Sequence, residues 1–489
     1  MRLSSLLESA GLPAGLSDQE IASLCYDSRQ ACPGGLFFAL PGQKSDGAGF
    51  VRQAVANGAV AAVAGSSVAD AGCPVVQVPD ARAAMADIAA AFHGHPDRAM
   101  KCVGITGTNG KTTTAFLIKH LMDSASLRCG LIGTVKYVVG GAEIAAPRTT
   151  PESADLQDLL AGMRAVGDRA VAMEVSSHAL VQHRVRGVAF DAAIFTNLTQ
   201  DHLDFHRTME DYFEAKALLF DALVAQTAKK ARAIINADDR HGRQLIERYG
   251  KRLNVQTFGR GVGEDFRASA IRFDASGATF QLDAKRKSFL VRMPLIGLFN
   301  IYNALGALAA AAACGVELRA AIAALASAPQ VPGRLERVQS KRNFQVYVDY
   351  AHTDDALRNV LRTLRELSPS RVITVFGCGG DRDRAKRPLM ASAAEELSDW
   401  SVLTSDNPRR EDPEAILRDV ESGLRGSRYD KIVDREAAIR HAVGLAQSGD
   451  IILIAGKGHE SYQEFADRRV PFDDVAVAEL AIAYKKGEG

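Results

Sequence analysis

Short runs of apolar, mostly β-branched residues recur along the chain, and each run ends in a cluster of polar residues. In the middle of the chain these runs are AVAMEV (170–175), DAAIFTNL (191–198) and ARAIINA (231–237). Stretches with helical spacing separate the runs, which is typical of parallel strands that are covered by helices on both faces. Because ligands bind beyond the carboxyl ends of such strands, the polar clusters mark candidate sites. The pattern predicts an α/β fold.

The same pattern divides the chain into three predicted domains. The first, residues 1–98, has short apolar runs and ends in FHGHPDRAM, a proline-containing stretch typical of a linker. The second, residues 99–332, opens with a strand, a glycine-rich turn and a helix that begins at Lys111. The third, residues 333–489, repeats the alternation of strands and polar clusters in NFQVYVDYAH, RVITVFGCGGDR, SVLTSDNPR and IILIAGKGHE. We therefore expect parallel sheets in all three domains.

Composition restricts the class of partner. The 489 residues include 59 Lys and Arg against 58 Asp and Glu, and a net charge of +1 provides no broad basic surface for nucleic acid. The longest apolar stretch, near Ala304 to Val316, is shorter than the roughly 20 residues of a membrane span. The N-terminus lacks the apolar core of a signal peptide, and the seven dispersed cysteines include no CxxC pair. We expect a cytoplasmic enzyme with no nucleic-acid partner and no membrane span.

The segment GITGTNGKTT (104–113) is the strongest local signal for chemistry. Glycines after a strand let backbone N–H groups approach phosphate oxygens, and the helix N-terminus adds a favourable dipole. Lys111 can hold terminal phosphates as a point charge, and the Thr112 hydroxyl can reach Mg²⁺. Ile105 replaces the first glycine of the strict pattern, so a chance glycine-rich turn stays open as the alternative. The residues expected to bind ATP here are Gly107, Thr108, Asn109, Gly110, Lys111, Thr112 and Thr113.

Motifs spread over essentially the whole chain resemble those of the Mur ligases, which build the peptide stem of bacterial peptidoglycan. In chain order these motifs are TGTNGKTTT (106–114), EVSSH (174–178), TNLTQDHLD (196–204), GLFNIYNAL (297–305), PGRLE (332–336) and DYAH (349–352). A second set is most similar to the members that add meso-diaminopimelate: YDSRQ (26–30), VQHRV (181–185), GGDRDRAKRP (379–388), DNPR (406–409) and GKGHE (456–460). The resemblance implies a UDP-MurNAc-binding N-terminal domain, a central P-loop-type ATPase domain with a parallel sheet, and a Rossmann-like C-terminal domain for the amino acid.

The resemblance implies an ATP-dependent amide ligase of peptidoglycan precursor synthesis, and hence a role in cell-wall biogenesis, cell shape and cell division. The γ-phosphoryl group of ATP would pass to the carboxylate of UDP-MurNAc-L-Ala-D-Glu, and the amine of meso-diaminopimelate would attack the acyl phosphate. Two anions meet in the first step, so positive charge and metal ions are needed. Two Mg²⁺ ions are expected, and Lys216 is expected to carry a carbamate derived from CO2. The implied catalytic residues are Lys111, Glu174, His202 and Lys216, and the implied metal ligands are Thr112, Glu174, His202 and Lys216.

Further contacts are implied only by the resemblance, because each residue taken singly would be read as an ordinary loop or surface residue. Asn303 and Arg334 match positions that contact adenine and phosphates, and Asp349 and His352 are expected to face the nucleotide. Asp354 departs from the family, which usually has proline there. The residues implied for the UDP-MurNAc-dipeptide are Ser28, Gln43, Lys44, Ser45, Thr149, Thr150, Ser176, Gln182 and Arg184.

The third domain is expected to choose the amino acid. Diaminopimelate carries a far carboxylate that L-lysine lacks, and the Arg409 guanidinium can bind it with two parallel hydrogen bonds. Arg382 offers a second guanidinium, so bound L-lysine would leave both arginines unpaired. Asp406 and Glu460 are expected to balance the far ammonium group. The residues implied for diaminopimelate are Arg382, Asp406, Asn407, Pro408, Arg409, Gly456 and Glu460.

Several alternatives stay open from the sequence. Two are other ligases, an L-lysine-adding relative that should lack DNPR and a folate-polyglutamylating enzyme that should lack the YDSR region. A nucleotide-gated switch would use the phosphate loop only to time a conformational change and would need no paired arginines. An inactive scaffold is disfavoured by the intact GTNGKTT segment. We expect a monomer.

Overall fold

The computed structural model describes residues 1–12, 18–42, 46–201, 205–274 and 276–485, which form two compact units. Unit 1 comprises Met1–Arg267 with Asn303–Ala324, and unit 2 comprises Ala268–Tyr302 with Leu325–Gly489. The first predicted domain and most of the second thus lie in unit 1, residues 268–302 and 325–332 of the second belong to unit 2, and the domain boundaries at 98/99 and 332/333 stay predictions. Four of the implied site residues, Gln43, Lys44, Ser45 and His202, lie outside the described residues.

The N-terminal part of unit 1 is a parallel sheet with helices. Its strands, in spatial order, are β1 (Ser23–Cys25), β2 (Gly35–Ala39), β3 (Ala59–Ala64) and β4 (Val75–Gln77). Its α-helices are α1 (Leu3–Ser9), α2 (Val51–Ala56) and α3 (Ala81–Phe92). The predicted linker after α3 contains a short 3-10 turn, Pro96–Ala99. β2 is buried along its whole length, as expected for an inner parallel strand.

The rest of unit 1 is built on a larger sheet. Its strands are β5 (Lys101–Thr106), β6 (Cys129–Ile132), β7 (Lys136–Val139), β8 (Ala142–Ala145), β9 (Ala170–Glu174), β10 (Ala192–Phe195), β11 (Arg232–Asn236) and β12 (Asn254–Gly259). Their spatial order is β12-β11-β10-β5-β9-β6-β7-β8, parallel from β12 to β6 and antiparallel from β6 to β8. The helices are α4 (Lys111–Ser124), α5 (Ser153–Ala165), α6 (Ser177–Val181), α7 (Met209–Ala225), α8 (Arg240–Tyr249), α9 (Leu298–Ala313) and α10 (Leu318–Leu325), the last two of which continue across the unit boundary.

Unit 2 contains an antiparallel group, a mainly parallel sheet and a small hairpin. The antiparallel group is β13 (Phe266–Asp274), which begins in unit 1, with β14 (Gly277–Ala284) and β15 (Lys287–Met293). The main sheet has the order β16-β17-β21-β18-β19-β20, made of β16 (Glu336–Val338), β17 (Gln345–Asp349), β18 (Val372–Phe376), β19 (Trp400–Leu403), β20 (Tyr429–Lys431) and β21 (Ile451–Ala455). The hairpin is β22 (Tyr462–Glu464) with β23 (Arg469–Pro471), and the helices are α11 (Asp354–Glu366), α12 (Lys386–Leu397), α13 (Pro413–Glu421), α14 (Arg435–Leu445) and α15 (Asp474–Tyr484).

The α/β prediction is confirmed strand by strand. The apolar runs at 170–175, 191–198 and 231–237 form β9, β10 and β11, and the runs of the third block form β17, β18, β19 and β21. All seven are parallel to a neighbour in their sheets. The strands β7, β8 and β13 to β15 were not predicted, because their partly exposed residues interrupt the apolar runs.

Helices of the described residues are too short or too polar to cross a membrane. All seven cysteines lie within the described ranges, and none forms a disulfide bond.

Candidate active site

The phosphate loop joins β5 to α4 in unit 1, and α4 begins at Lys111 as predicted. Two glycines are required by the geometry of the loop. Gly107 has φ +141°, and a Cβ atom there would lie 1.9 Å from the Thr196 hydroxyl oxygen. Gly110 has φ +88°, and a Cβ atom would lie 2.3 Å from Oδ1 of Asn303. Neither of these two positions therefore has room for a residue larger than glycine, and the loop backbone there is the surface available to a ligand.

Two lysines converge on one carbonyl oxygen of this loop. Lys111 Nζ donates to the carbonyl oxygens of Gly107 (3.0 Å) and Thr108 (2.8 Å), and Lys216 Nζ donates to that of Gly107 (2.8 Å). Lys216 is 1% exposed, and its Nζ lies 4.3 Å from the centre of the Tyr212 ring. Burial lowers the pKa of Lys216 well below its usual value, and the charge of Lys111 lowers it further. An amphipathic helix would suggest a solvated lysine, so the sequence alone gave no sign of this burial.

The segment that follows β10 holds the phosphate loop in shape. Thr196 Oγ1 donates to the Asn109 carbonyl oxygen (2.7 Å), and the amides of Thr108 and Asn109 donate to the backbone carbonyl and Oδ1 oxygens of Asn197 (2.9 and 3.0 Å). β10 and β5 are adjacent parallel strands, so their carboxyl ends meet at this edge of the sheet. The TNLTQ run (196–200) indicates only the family resemblance, and nothing in the sequence marks Thr196 and Asn197 as residues that position the loop.

Asn303, on α9, lies against the same loop. Its Oδ1 accepts a hydrogen bond from Thr114 Oγ1 (3.3 Å) and lies close to Gly110. The structure therefore brings this implied adenine contact to the start of α4, where Thr114 lies one turn into the helix.

Glu174 ends β9, the strand directly beside β5, where it pairs with Ile105. Its side chain is 1% exposed, and its two oxygens accept hydrogen bonds from the Thr134 amide (2.8 Å) and hydroxyl (3.0 Å). Among the described residues no three His, Cys, Asp or Glu side chains cluster closely enough to hold a metal ion. The implied magnesium set is of another kind, since it combines the Thr112 hydroxyl, one carboxylate and a modified lysine with His202.

The residues implied for the dipeptide lie together at the end of β9. Thr150 Oγ1 donates to the Glu174 carbonyl oxygen (2.7 Å) and accepts from the Ser176 amide (3.2 Å). Arg184 donates to the Thr150 carbonyl oxygen (2.9 Å) and to Gln182 Oε1 (2.7 Å). Thr149 lies beside them, with its hydroxyl 3.1 Å from that of Thr134. One edge of the sheet thus gathers hydroxyl, amide and guanidinium donors suited to carboxylate and sugar oxygens.

A carboxylate that the sequence did not reveal balances this cluster. Glu152 is 3% exposed, and it pairs with Arg82 (3.0 Å), with Arg184 (3.0 Å) and with Arg148. Three guanidinium groups thus face one buried carboxylate next to the dipeptide residues. Burial lowers the pKa of Arg184.

Ser28 lies in the N-terminal part of unit 1, and it is buried rather than exposed in a turn. Its hydroxyl donates to Gln53 Oε1 (2.9 Å), and its carbonyl oxygen accepts from Asn57 Nδ2 (2.8 Å). Since Gln43, Lys44 and Ser45 lie outside the described residues, the uridine end of the implied site rests here on Ser28 alone.

In unit 2 the DYAH segment follows β17. Asp349 accepts hydrogen bonds from the amides of Leu335 (2.6 Å) and Ala351 (2.8 Å), and burial raises its pKa to about 6. The Arg334 guanidinium lies 4.7 Å from the centre of the Tyr350 ring. Asp349 therefore fixes the PGRLE segment to the end of β17.

Asp354 replaces the usual proline without disturbing the local geometry. It is the first residue of α11, and the Thr353 hydroxyl caps this helix by accepting from the Ala356 amide (3.3 Å). Proline and aspartate both suit a first helical position, the former through its fixed φ and the latter through the helix dipole.

The residues implied for diaminopimelate form one cluster at the carboxyl ends of β18, β19 and β21. Asn407 Nδ2 donates to Glu460 Oε2 (2.8 Å), and Asp406 Oδ2 lies 2.8 Å from where a Cβ of Gly456 would be. Lys457 is fully buried among them, and its Nζ donates to Asn407 Oδ1 (3.0 Å) and to Glu460 Oε2 (3.1 Å). The sequence missed Lys457 although it lies within GKGHE, because lysine in a loop is ordinarily solvated.

Arg409 lies at the other side of this cluster, at φ +51°. Its Nη1 donates to the Gly380 carbonyl oxygen (2.8 Å), and a Cβ at Gly379 would lie 2.9 Å from that nitrogen and 3.6 Å from Arg382 Cγ. The two arginines thus flank Gly379. The backbone of Pro408 lies against Gly380, because a Cβ at Gly380 would lie 1.9 Å from the Pro408 carbonyl oxygen.

The expectation that bound L-lysine would leave both arginines unpaired is wrong for Arg409. Arg409 Nε donates to Glu464 Oε2 (3.0 Å), so the guanidinium already has a carboxylate partner within the chain. A bound L-lysine would therefore not leave Arg409 unpaired. Likewise, Asp406 and Glu460 already lie beside the buried ammonium group of Lys457, at 4.0 and 3.1 Å.

Comparison with known proteins identifies the family of the chain. Residues 20–93 match the Mur ligase family, catalytic domain; residues 105–311 match the Mur ligase middle domain; and residues 333–458 match the Mur ligase, glutamate ligase domain. The UDP-N-acetylmuramoyl-L-alanyl-D-glutamate--2,6-diaminopimelate ligase of Solibacter usitatus is 46% identical over 489 residues, covering 98% of this chain and 97% of the relative.

Solved structures give the same result. A structure of UDP-N-acetylmuramoyl-L-alanyl-D-glutamate--2,6-diaminopimelate ligase superposes with a TM-score of 0.72 at 35% identity, covering 99% of both chains. The MurF ligase from Thermotoga maritima, solved in complex with ADP, superposes with a TM-score of 0.64 at 18% identity over 96% of this chain and 97% of that one, which shows the fold alone. The chain belongs to the Mur ligase family.

Proposed function

We propose that the protein is the ATP-dependent ligase that joins meso-diaminopimelate to UDP-MurNAc-L-Ala-D-Glu in cytoplasmic peptidoglycan precursor synthesis, acting as a monomer. The observation that carries the proposal is the set of seven implied diaminopimelate residues, which assemble at strand ends of unit 2 in a chain that also has a phosphate loop. Relatives that are named for this reaction and span nearly the whole chain support it.

The phosphoryl step is supported by the residues of unit 1. Transfer of the γ-phosphoryl group of ATP to the D-glutamate side-chain carboxylate forms an acyl phosphate and ADP. Lys111, which now donates to two loop carbonyls, would donate to phosphate oxygens instead. The loop amides and the N-terminus of α4 add partial positive charge, and the arginines around Glu152 attract the anionic acceptor.

The donor set near the loop fits magnesium. Mg²⁺ prefers oxygen ligands, and Thr112, Glu174 and a carbamate on Lys216 would supply hydroxyl and carboxylate-like oxygens, with His202 as a further ligand. CO2 reacts with an unprotonated amine, and the buried Lys216 amine has a lowered pKa as that reaction requires. When bound, the two ions would neutralise the charge of the transferring phosphoryl group.

The amide step is supported by unit 2. The amine attacks the acyl carbon, a tetrahedral intermediate forms, and it collapses with release of phosphate and loss of the amine proton. Arg409 and Arg382 would bind the far carboxylate of the amino acid, while Asn407 and Glu460 would bind its ammonium groups.

The test uses purified protein with Mg-ATP and UDP-MurNAc-L-Ala-D-Glu, and adds meso-diaminopimelate or L-lysine in parallel. Phosphate release and product mass are followed together. We expect phosphate and a tripeptide adduct with diaminopimelate. An adduct with L-lysine alone would contradict the substrate assignment, and phosphate release without any adduct would favour the nucleotide switch.

A further inference from the structure

The hairpin of β22 and β23 lies along the DNPR segment of unit 2. Gln463 Nε2 donates to the Asp406 carbonyl oxygen (2.9 Å), and the Glu464 amide donates to Asn407 Oδ1 (2.9 Å). The Arg409 amide donates to the Glu464 carbonyl oxygen (3.0 Å), and Arg409 forms a parallel bridge with Phe465. β22 therefore borders the amino-acid cluster along its length, and its side chains belong to the wall of that cluster.

The hydrogen bonds of the Arg409 guanidinium define the edge it can offer to a ligand. Its Nε is taken by Glu464 Oε2 (3.0 Å), and one Nη1 hydrogen is taken by the Gly380 carbonyl oxygen (2.8 Å). A guanidinium carries five N–H donors. The donors left for a ligand are thus at the terminal Nη edge, next to the Glu464 carboxylate.

Glu464 is held as an anion in this position. Its Oε1 accepts from Arg469 Nη2 (2.9 Å) and its Oε2 from Arg409, and both arginines lower its pKa. Each carboxylate oxygen can accept more than one hydrogen bond. The side chain is 25% exposed, so it can still accept a donor from a ligand.

We infer that Glu464 is a further specificity-determining residue, which joins Asn407 and Glu460 in binding the far ammonium group of the amino acid while Arg409 binds the carboxylate on the same carbon. This inference rests on the proposed function. An adjoining cation and anion match a group that is itself a cation and an anion, so binding of diaminopimelate leaves the local charge balanced. L-Lysine, which has the far ammonium without the carboxylate, would place an uncompensated positive charge beside Arg409. 2-Aminopimelate, which has the carboxylate without the ammonium, would place a negative charge beside Glu464.

The experiment compares the wild type with Glu464→Gln on these three amino acids, by kcat/KM with saturating ATP and UDP-MurNAc-L-Ala-D-Glu. Glutamine keeps an oxygen that accepts from Arg409 Nε but removes the charge. We expect kcat/KM for diaminopimelate to fall about tenfold through KM, because a charge-assisted hydrogen bond is lost. We expect kcat/KM for 2-aminopimelate to rise or stay constant, and KM for ATP to be unchanged.

The matched control is Glu421→Gln, which removes a carboxylate that is 31% exposed and paired with Lys431 at 2.8 Å, away from the amino-acid cluster. It should leave all three amino acids unaffected. Equal losses for diaminopimelate and 2-aminopimelate in Glu464→Gln would show a merely structural role, and no loss for diaminopimelate would also overturn the inference. If the wild type forms no adduct with any of the amino acids, the proposed function itself fails, and this outcome is separate from both.

Discussion

Lysine and arginine side chains line both the phosphate loop of unit 1 and the amino-acid cluster of unit 2, but the groups that accept their hydrogen bonds differ. In the phosphate loop, Lys111 and Lys216 donate to backbone carbonyl oxygens, which carry only partial charge. In the amino-acid cluster, Lys457 and Arg409 donate to the carboxylates of Glu460 and Glu464. Both regions are supported by hydrogen bonds within the chain, and they differ in whether backbone carbonyls or carboxylates accept these bonds from the basic side chains.

The difference corresponds to the charge of the two ligands. A nucleoside triphosphate brings several negative charges, and it is bound best where positive charge is left over. An amino acid with a zwitterionic far end brings no net charge there, and it is bound best where cations and anions alternate. The chain therefore surrounds its basic groups with backbone acceptors at one set of strand ends and with carboxylates at another.

The largest expected effect tests how strongly the stability of unit 2 depends on the pairing of opposite charges. Arg435 and Asp474 form an ion pair with neither side chain exposed, and Arg435 also donates to the carbonyl oxygens of Ser405 and Ala455, just before the amino-acid residues. Arg435→Met leaves the Asp474 charge buried without its partner, so we expect the free energy of unfolding to fall by about 3–5 kcal/mol. Denaturant unfolding followed by the fluorescence of the single tryptophan, Trp400, measures it.

Two controls accompany that measurement. The double variant Arg435→Met with Asp474→Leu removes both charges and should recover most of the loss. Arg440→Met breaks an exposed pair with Glu436 and should cost no more than about 0.5 kcal/mol. A double variant as unstable as the single one would show that packing, rather than charge, is what Arg435 supplies.

The next effect tests the basic side chain at the phosphate loop of unit 1. Lys111→Met removes the ammonium group that we assign to the terminal phosphates, and we expect kcat/KM for ATP to fall about 100- to 1000-fold. KM for diaminopimelate should be unchanged. Lys119→Met, on the same helix and paired with Asp123, is the matched control. An equal loss in kcat/KM for ATP and for diaminopimelate would contradict the assignment of ATP to the phosphate loop and of the amino acid to unit 2.

A smaller effect is expected from Arg409→Lys. Lysine cannot donate to Glu464, to the Gly380 carbonyl oxygen and to a ligand carboxylate in the fork geometry of a guanidinium. We expect KM for diaminopimelate to rise about 10- to 100-fold while KM for ATP stays constant. Arg410→Lys, which changes the neighbouring exposed arginine that pairs with Asp381, should have no effect. Steady-state kinetics with each substrate varied in turn would reveal any equal loss of ATP use.

The smallest effect concerns pH. Glu411 accepts two hydrogen bonds from the buried Arg387 and one from the Asp381 amide, and Arg387 lowers the pKa of this carboxyl from its usual value to about 2. A folded pKa below the unfolded one means that this stabilisation is complete above about pH 4.5 and is lost as the pH falls toward 2. Glu411→Gln should therefore cost about 1–2 kcal/mol at pH 7 and progressively less below pH 4, measured by denaturant unfolding. A pH-independent cost would mean that Glu411 acts only through its shape.

Much of the fold could be predicted because inner parallel strands leave a strong signal. β9, β18 and β21 are buried on both faces, so they read as continuous apolar runs followed by polar residues. β13 and β15 alternate between buried and exposed positions and could not be recognised by that rule. The first predicted domain shares a compact unit with most of the second, and this depends on long-range pairs such as Tyr26 with Asp155, which no local pattern contains.

The candidate site was predictable where motif and strand end coincide. Gly107, Lys111, Asn407 and Glu460 lie within motifs, and the structure places each at the carboxyl end of a strand. Glu152, Lys457 and Glu464 were missed, because each has a hydrogen-bond partner 50 or more residues away in the chain, namely Arg82, Asn407 and Arg409. The burial of a charged side chain can be predicted from a sequence only when its partner is known.

The convergence of Lys111 and Lys216 on the carbonyl oxygen of Gly107 has a consequence for proton exchange. Burial lowers the pKa of an unmodified Lys216 amine, and a polyphosphate bound beside it would favour its charged form. Nucleotide binding should then take up a proton from the buffer, so the heat measured by calorimetry will change with the ionisation enthalpy of that buffer. A carbamate on Lys216 removes the amine that takes up this proton. Calorimetry in two buffers therefore reports which chemical form of the lysine a given sample contains.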